Sequence, residues 1–110
     1  MLTPLDILGP DGLVASRLEH YETRDEQLEM AAAVDQALQS RQHLVVEAGT
    51  GVGKSFAYLV PAILAATQQD DDLRTNRVVI STHTISLQEQ VISKDLPLLN
   101  AVIPREFTAV

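Results

Sequence analysis

The sequence contains no cysteine. That excludes disulfides, a cysteine nucleophile, and a cysteine-ligated iron–sulfur or zinc site within these residues. No apolar run approaches the roughly 18 residues of a membrane-crossing helix. Met1 to Pro10 place no basic group ahead of their apolar residues, so they do not read as a signal peptide. A cytoplasmic setting without a membrane partner is expected. Basic residues are scarce, 8 against 15 acidic, for a net charge of −7. Such a balance argues against a broad nucleic-acid surface, which carries a basic patch. The acids are dispersed apart from Asp70, Asp71 and Asp72, so the total does not decide what one loop binds. There is no internal repeat. Hydrophobic residues make up 45%, enough for a core, in a length of 110 residues that suits one small domain.

One stretch organises the rest. Leu44, Val45, Val46 and Ala48, interrupted by Glu47, read as a buried β-strand. Gly49, Gly51 and Gly53 follow at alternate positions, with Thr50 and Val52 between them. Then come Lys54, Ser55 and a long apolar helical pattern. Strand, glycine loop and helix are the context of a phosphate-binding loop, with Ala48 in the place where the strict motif has glycine. Glycines let successive backbone N–H groups point inward with no Cβ in the way. The helix start adds unpaired N–H groups and a positive dipole end. Lys54 supplies a point charge for the β- and γ-phosphates, and Ser55 a hydroxyl oxygen for Mg²⁺.

Around this stretch, Met1 to Gly12 read as a loop, and Leu13 to Leu18 as one or two helical turns. Thr23 with Glu26 has the spacing of a capping box. It predicts a helix from Arg24 to about Leu38, with Gln27, Ala31, Val34 and Leu38 on one face. A glutamine heading that stripe is its odd member. His43 reads as a surface residue. Phe56 to Thr67 are apolar almost all round and predict a buried helix, bent at Pro61. Val78 to Ile80 predict a second short buried strand. Thr84 or Ser86 caps a following helix that carries Leu87 and Val91 and stops at Pro97. The alternation fits parallel βα units, hence an α/β fold with a parallel sheet flanked by helices. Two strands do not finish such a sheet, so only its opening part is expected here.

Three blocks together resemble the DinG/XPD-type superfamily 2 DNA helicases. Glu47 to Ile63 resemble their first helicase motif. Tyr21-Glu22-x-Arg24-x-x-Gln27-x-x-Met30 resembles the segment upstream of it. Val79 to Thr84 with Leu87-Gln88-Glu89-Gln90 resembles the next motif, Ia. The resemblance implies a P-loop NTPase of RecA-like fold, with residues 1–20 a lead-in and 21–110 the N-terminal part of the helicase ATP-binding domain. It implies ATP and Mg²⁺ as cofactors and 5′–3′ unwinding of single-stranded or forked DNA by the full-length protein. The remainder of the helicase chain would be required. Lys54 would be the catalytic residue. Ala48, Gly49, Thr50, Gly51, Val52, Gly53, Lys54 and Ser55 would hold the nucleotide, Ser55 the Mg²⁺, and Thr82 the DNA strand.

The resemblance also gives Gln27 to the adenine. The chemistry agrees, because one carboxamide offers both a donor and an acceptor to the N7/N6 edge. The plain alternative is that Gln27 only opens its helix. Tyr21 would flank the base or simply pack. Arg24 would meet a phosphate or a nearby carboxylate. Thr82 would bind a DNA phosphate or belong to helix capping. An iron–sulfur insert of the family would start beyond residue 110, so these residues do not bear on it. With the helicase-like blocks starting this early, an N-terminal exonuclease domain is not expected. The 110 residues alone are expected to be inactive, lacking an acidic pair and an arginine finger. Competing classes are a nucleotide-binding regulatory module and another P-loop ATPase or kinase.

Overall fold

The computed structural model describes residues 2–49, 53–68 and 77–110. Its first element is α1, Pro4–Leu8, where the sequence reads as loop. Thr3 caps it: its hydroxyl accepts from the Asp6 N–H at 3.3 Å, and the Asp6 carboxylate accepts from the Thr3 N–H at 2.8 Å. Pro4 fills the first turn, where a missing N–H costs nothing. These bonds from the Thr3 backbone, then its side chain, hold the Asp6 carboxyl below its ordinary pKa. Capping is worth about 1 kcal/mol. Ile7 and Leu8 are fully buried, each worth roughly 1.5–3 kcal/mol. Burial therefore dominates in holding this five-residue helix. The short α2, Leu13–Arg17, follows and buries Val14.

The helix α3, Asp25–Ser40, starts one residue later than expected and without a side-chain cap. Arg24 is extended at φ −121°, so the first helical carbonyl is its own, accepting from Leu28 N–H at 3.1 Å. Thr23 thus lies outside the capping position. Asp25 and Glu26 meet the helix dipole instead. At the other end Arg41 turns left-handed, φ 55°, and closes the helix on the Ala37 carbonyl.

The central helix is α4, Lys54–Ala66, one continuous element with Pro61 inside it. It is buried at Ala57 and from Leu59 to Leu64. α3 packs along it, and α1 packs against both. The core gathers Ile7, Leu8, Val14, Ala31, Leu59 and Leu99 with their apolar neighbours.

Thr84, not Ser86, caps α5, Ile85–Gln90, accepting from the Leu87 N–H at 3.1 Å. The helix then runs on instead of stopping. A π turn, Val91–Asp95, leads directly into α6, Leu96–Val102, with Pro97 in its first turn. In the π turn, Leu96 N–H bonds to the Val91 carbonyl five residues back. The wider turn spares Pro97 the clash with a carbonyl four residues back that breaks regular helices.

The expected sheet is not formed among the described residues. Among the described residues there is no β-strand. Both apolar runs keep a two-residue rhythm of exposure: Leu44 44%, Val45 96%, Val46 41%, and Val78 37%, Val79 92%, Ile80 38%. One face of each run is part-covered and the other bare. A strand exists only through hydrogen bonds to a neighbour, and neither run has one among the described residues.

Candidate functional site

The site is built where α4 begins. Gly53 precedes the helix at φ 80°, ψ 44°, a left-handed corner that L side chains rarely adopt. A second constraint acts on the same atom. A Cβ on Gly53 would run into Gln27 Nε2. Gly49 is different, since a Cβ there would meet nothing within 4 Å. Lys54 is the first helical residue and is exposed; Ser55 beside it is partly buried. No side chain caps this end of α4. Buried apolar residues fix the helix behind it, so cation, hydroxyl and helix start are presented together. That donor set fits a phosphate group with its Mg²⁺. Ala48 is partly buried and Gly49 exposed, while Thr50, Gly51 and Val52 lie outside the described residues.

Gln27 is only 4% exposed. Its Nε2 donates to the Gly53 carbonyl at 3.1 Å, and that carbonyl also accepts from the Ala57 N–H at 3.2 Å. At the other end, Gln27 Oε1 lies 3.0 Å from the Tyr21 hydroxyl. The same hydroxyl lies 3.0 Å from the Leu8 carbonyl. A chain of contacts therefore runs from the end of α1 through Tyr21 and Gln27 to the corner of the glycine loop. Burial pushes the Tyr21 phenol pKa up, so the group keeps its proton. Sequence reasoning places Gln27 here but misses its bond to Gly53 and the Leu8 anchor. Backbone carbonyls leave no mark in a sequence.

The remaining candidates lie apart from this chain of contacts. Arg24 sits 3.9 Å from Glu22, a pair 48% and 82% exposed and worth at most about 1 kcal/mol. The Thr82 hydroxyl donates to the Thr84 carbonyl at 3.3 Å, just before α5. His43, Glu47 and His83 are exposed. A cleft of about 770 Å³ lies at the far end of α4, bordered by Leu38, Leu64, Thr67 and Arg105. It contains none of the phosphate-loop residues. No group of three or more histidine, aspartate or glutamate side chains is placed to hold a metal among the described residues. None of their helices is long and apolar enough to cross a membrane.

Comparison with known proteins gives a family. The DEAD/DEAH box helicase family matches residues 28–103. The chain belongs to the DEAD/DEAH box helicase family. The matched span holds the glycine loop, α4 and the α5 cap, and begins directly after Gln27. Membership implies the RecA-like P-loop fold and the use of ATP with Mg²⁺. The ATP-dependent DNA helicase YoaA of Escherichia coli is 42% identical over 98 residues, 89% of this chain and 14% of that protein. The ATP-dependent helicase DinG of Mycobacterium tuberculosis is 56% identical over 73 residues, 66% of this chain and 10% of that protein. The 3′-5′ exonuclease DinG of Bacillus subtilis is 36% identical over 101 residues, 92% of this chain and 10% of that protein. This DEAD/DEAH box helicase chain thus spans between a tenth and a seventh of the relatives it matches. No solved structure matches it.

Proposed function

We propose that this chain is the ATP-binding opening of an ATP-dependent DNA helicase. The observation that carries the reading is the left-handed Gly53 corner with Lys54 and Ser55 on a helix locked into the core. Lys54 neutralises the terminal phosphates as negative charge shifts among them. Ser55 contributes its hydroxyl to the metal, and the loop residues Ala48 to Gly53 wrap the phosphates with backbone N–H groups. Held at the Ser55 hydroxyl, Mg²⁺ would supply positive charge to offset that of the phosphates. Gln27 has one N–H and one lone pair beyond those bonded to Gly53 and Tyr21, and these meet the adenine edge.

Residues 44–48 and 78–80 pair as parallel strands with the remainder of the helicase, closing the sheet over α4. Residues 1–20 form the lead-in and 21–110 the start of the ATP-binding domain. The whole protein works in the cytoplasm on single-stranded or forked DNA, in the 5′–3′ direction, with Thr82 at a DNA phosphate. The names of the Escherichia coli and Mycobacterium tuberculosis relatives support this reading.

Lys54→Ala in the whole protein tests it. ATP hydrolysis should fall by at least about 100-fold, with circular dichroism unchanged because Lys54 is exposed. Hydrolysis kept within a few-fold of the parent would sink the phosphate-loop assignment. ATP binding without DNA-stimulated turnover in the parent would point to a regulatory module instead.

A further inference from the structure

We infer that Asp95 is the docking point for an arginine from the part of the helicase beyond these residues. The contact rests on the reading of the chain as one piece of a longer helicase, but not on its nucleotide site. Val91, Asp95 and Leu99 are 6%, 9% and 0% exposed, while Ile92, Ser93 and Lys94 are exposed. The three buried residues share the inward face of the rod that runs from α5 through the π turn into α6. Asp95 is the polar member of that stripe. The Gln90 side chain bonds to its carboxyl group, but Oδ2 has no hydrogen-bond partner.

A carboxylate held this way, with one oxygen unmet, costs more than an apolar side chain of similar size would. A donor to Oδ2 removes that cost, and the described residues do not supply it. Lys94 is exposed and acts on the carboxylate through its charge. Arg105 turns its Nη1 to the Thr67 hydroxyl at 3.4 Å. Among the described residues, no group of three or more histidine, aspartate or glutamate side chains could hold a metal, so Asp95 is not part of such a set. The missing partner is a cationic N–H group, because a buried carboxylate needs both the charge and the hydrogen bond. Arginine keeps its charge where water is excluded, whereas lysine shifts its pKa readily on burial. The chain spans between a tenth and a seventh of the relatives it matches, and its net charge of −7 favours basic groups on whatever packs against it. In this chain on its own the donor is missing, and Asp95→Asn there removes only the unmet charge.

The test is made on the whole protein. Hydrogen exchange read by mass spectrometry is compared between the parent and Asp95→Asn. Exchange should become at least about 10-fold faster in residues 91–99 and in one further segment, beyond residue 110, that contains an arginine. Replacing that arginine by methionine should reproduce the pattern, and the two changes together should do no more than either alone. Faster exchange confined to residues 91–99 overturns the inference, as does slower exchange throughout or a distant segment without arginine. If Asp95→Asn does not fold, Asp95→Glu carries the test. It keeps the charge but displaces it by one methylene, and the same distant segment should lose protection. An effect confined to residues 91–99 overturns the inference there too. Lys54→Ala, run alongside, separates the two claims. ATP hydrolysis indifferent to Lys54 refutes the nucleotide site and leaves the arginine contact standing. Lys54-dependent hydrolysis with no response beyond residue 110 refutes only the contact.

Discussion

Asp95 shows what a single residue costs when its surroundings are wrong for it. It is 9% exposed, and its Oδ2 has no hydrogen-bond partner. Burial raises its pKa above the ordinary 3.8, while the Gln90 side chain and the Lys94 charge pull the other way. The folded protein therefore binds the Asp95 proton more tightly than the unfolded chain does. The resulting stability is fully present below pH 3.8 and is lost as pH rises through the higher folded value. Asp95→Asn should accordingly stabilise this chain on its own at pH 7, by roughly 1 kcal/mol. That advantage should shrink as pH is lowered toward 3. Thermal melts of both proteins across this range check the prediction, and equal melting temperatures at pH 7 would count against it. At this scale the sequence shows the residues whose chemistry is local. Gly53, Lys54 and Ser55 are readable as candidates because the motif is a matter of spacing. Asp95, between Lys94 and Leu96, has nothing to distinguish it from a surface acid. Its burial depends on a turn that ordinary periodicity does not describe.

Among the elements, α5 depends most on its ends. It is six residues long and buries none of them. Helices this short gain little from their own backbone bonds. The Thr84 hydroxyl on the Leu87 N–H is therefore a large share of what fixes its start. Thr84→Ala should cost about 1 kcal/mol, and Thr84→Ser should recover most of it. Urea titration followed by circular dichroism measures both, and an Ala variant as stable as the parent would refute the role. The long helices α3 and α4 are legible from their apolar spacing, which repeats over three turns or more. α1 is too short to repeat, although Thr3, Pro4 and Asp6 stand at the positions a capped helix start needs. Pro97 misleads for a different reason. It ends regular helices, but here it follows a turn wide enough to accommodate it.

For the molecule as a whole, the unpaired runs dominate. Val45 is 96% exposed and Val79 92%. Extended apolar segments without partners are templates for pairing with another chain. The 110-residue chain on its own should self-associate, more so at high salt, where its net charge of −7 is screened. Val45→Lys with Val79→Lys should return it to a monomer with its helical signal intact. Sedimentation velocity decides this; a parent chain that stays monomeric at tens of micromolar, about the range of such assays, would contradict it. The expected sheet is readable only as two apolar runs, because pairing is a relation between distant segments. The π turn carries a different lesson, about where this chain can change length. Val91 and Leu99 are both buried, eight residues apart. A regular helix would set them about 80° apart, and absorbing one residue brings that to about 20°. The π turn is thus a one-residue insertion lodged in a helix. Losing Ser93 would restore the ordinary repeat without rotating anything downstream. It would also bring back the carbonyl that Pro97 cannot tolerate. The extra residue thus makes room for the proline, and deleting Ser93 should be tolerated only where Pro97 is replaced as well.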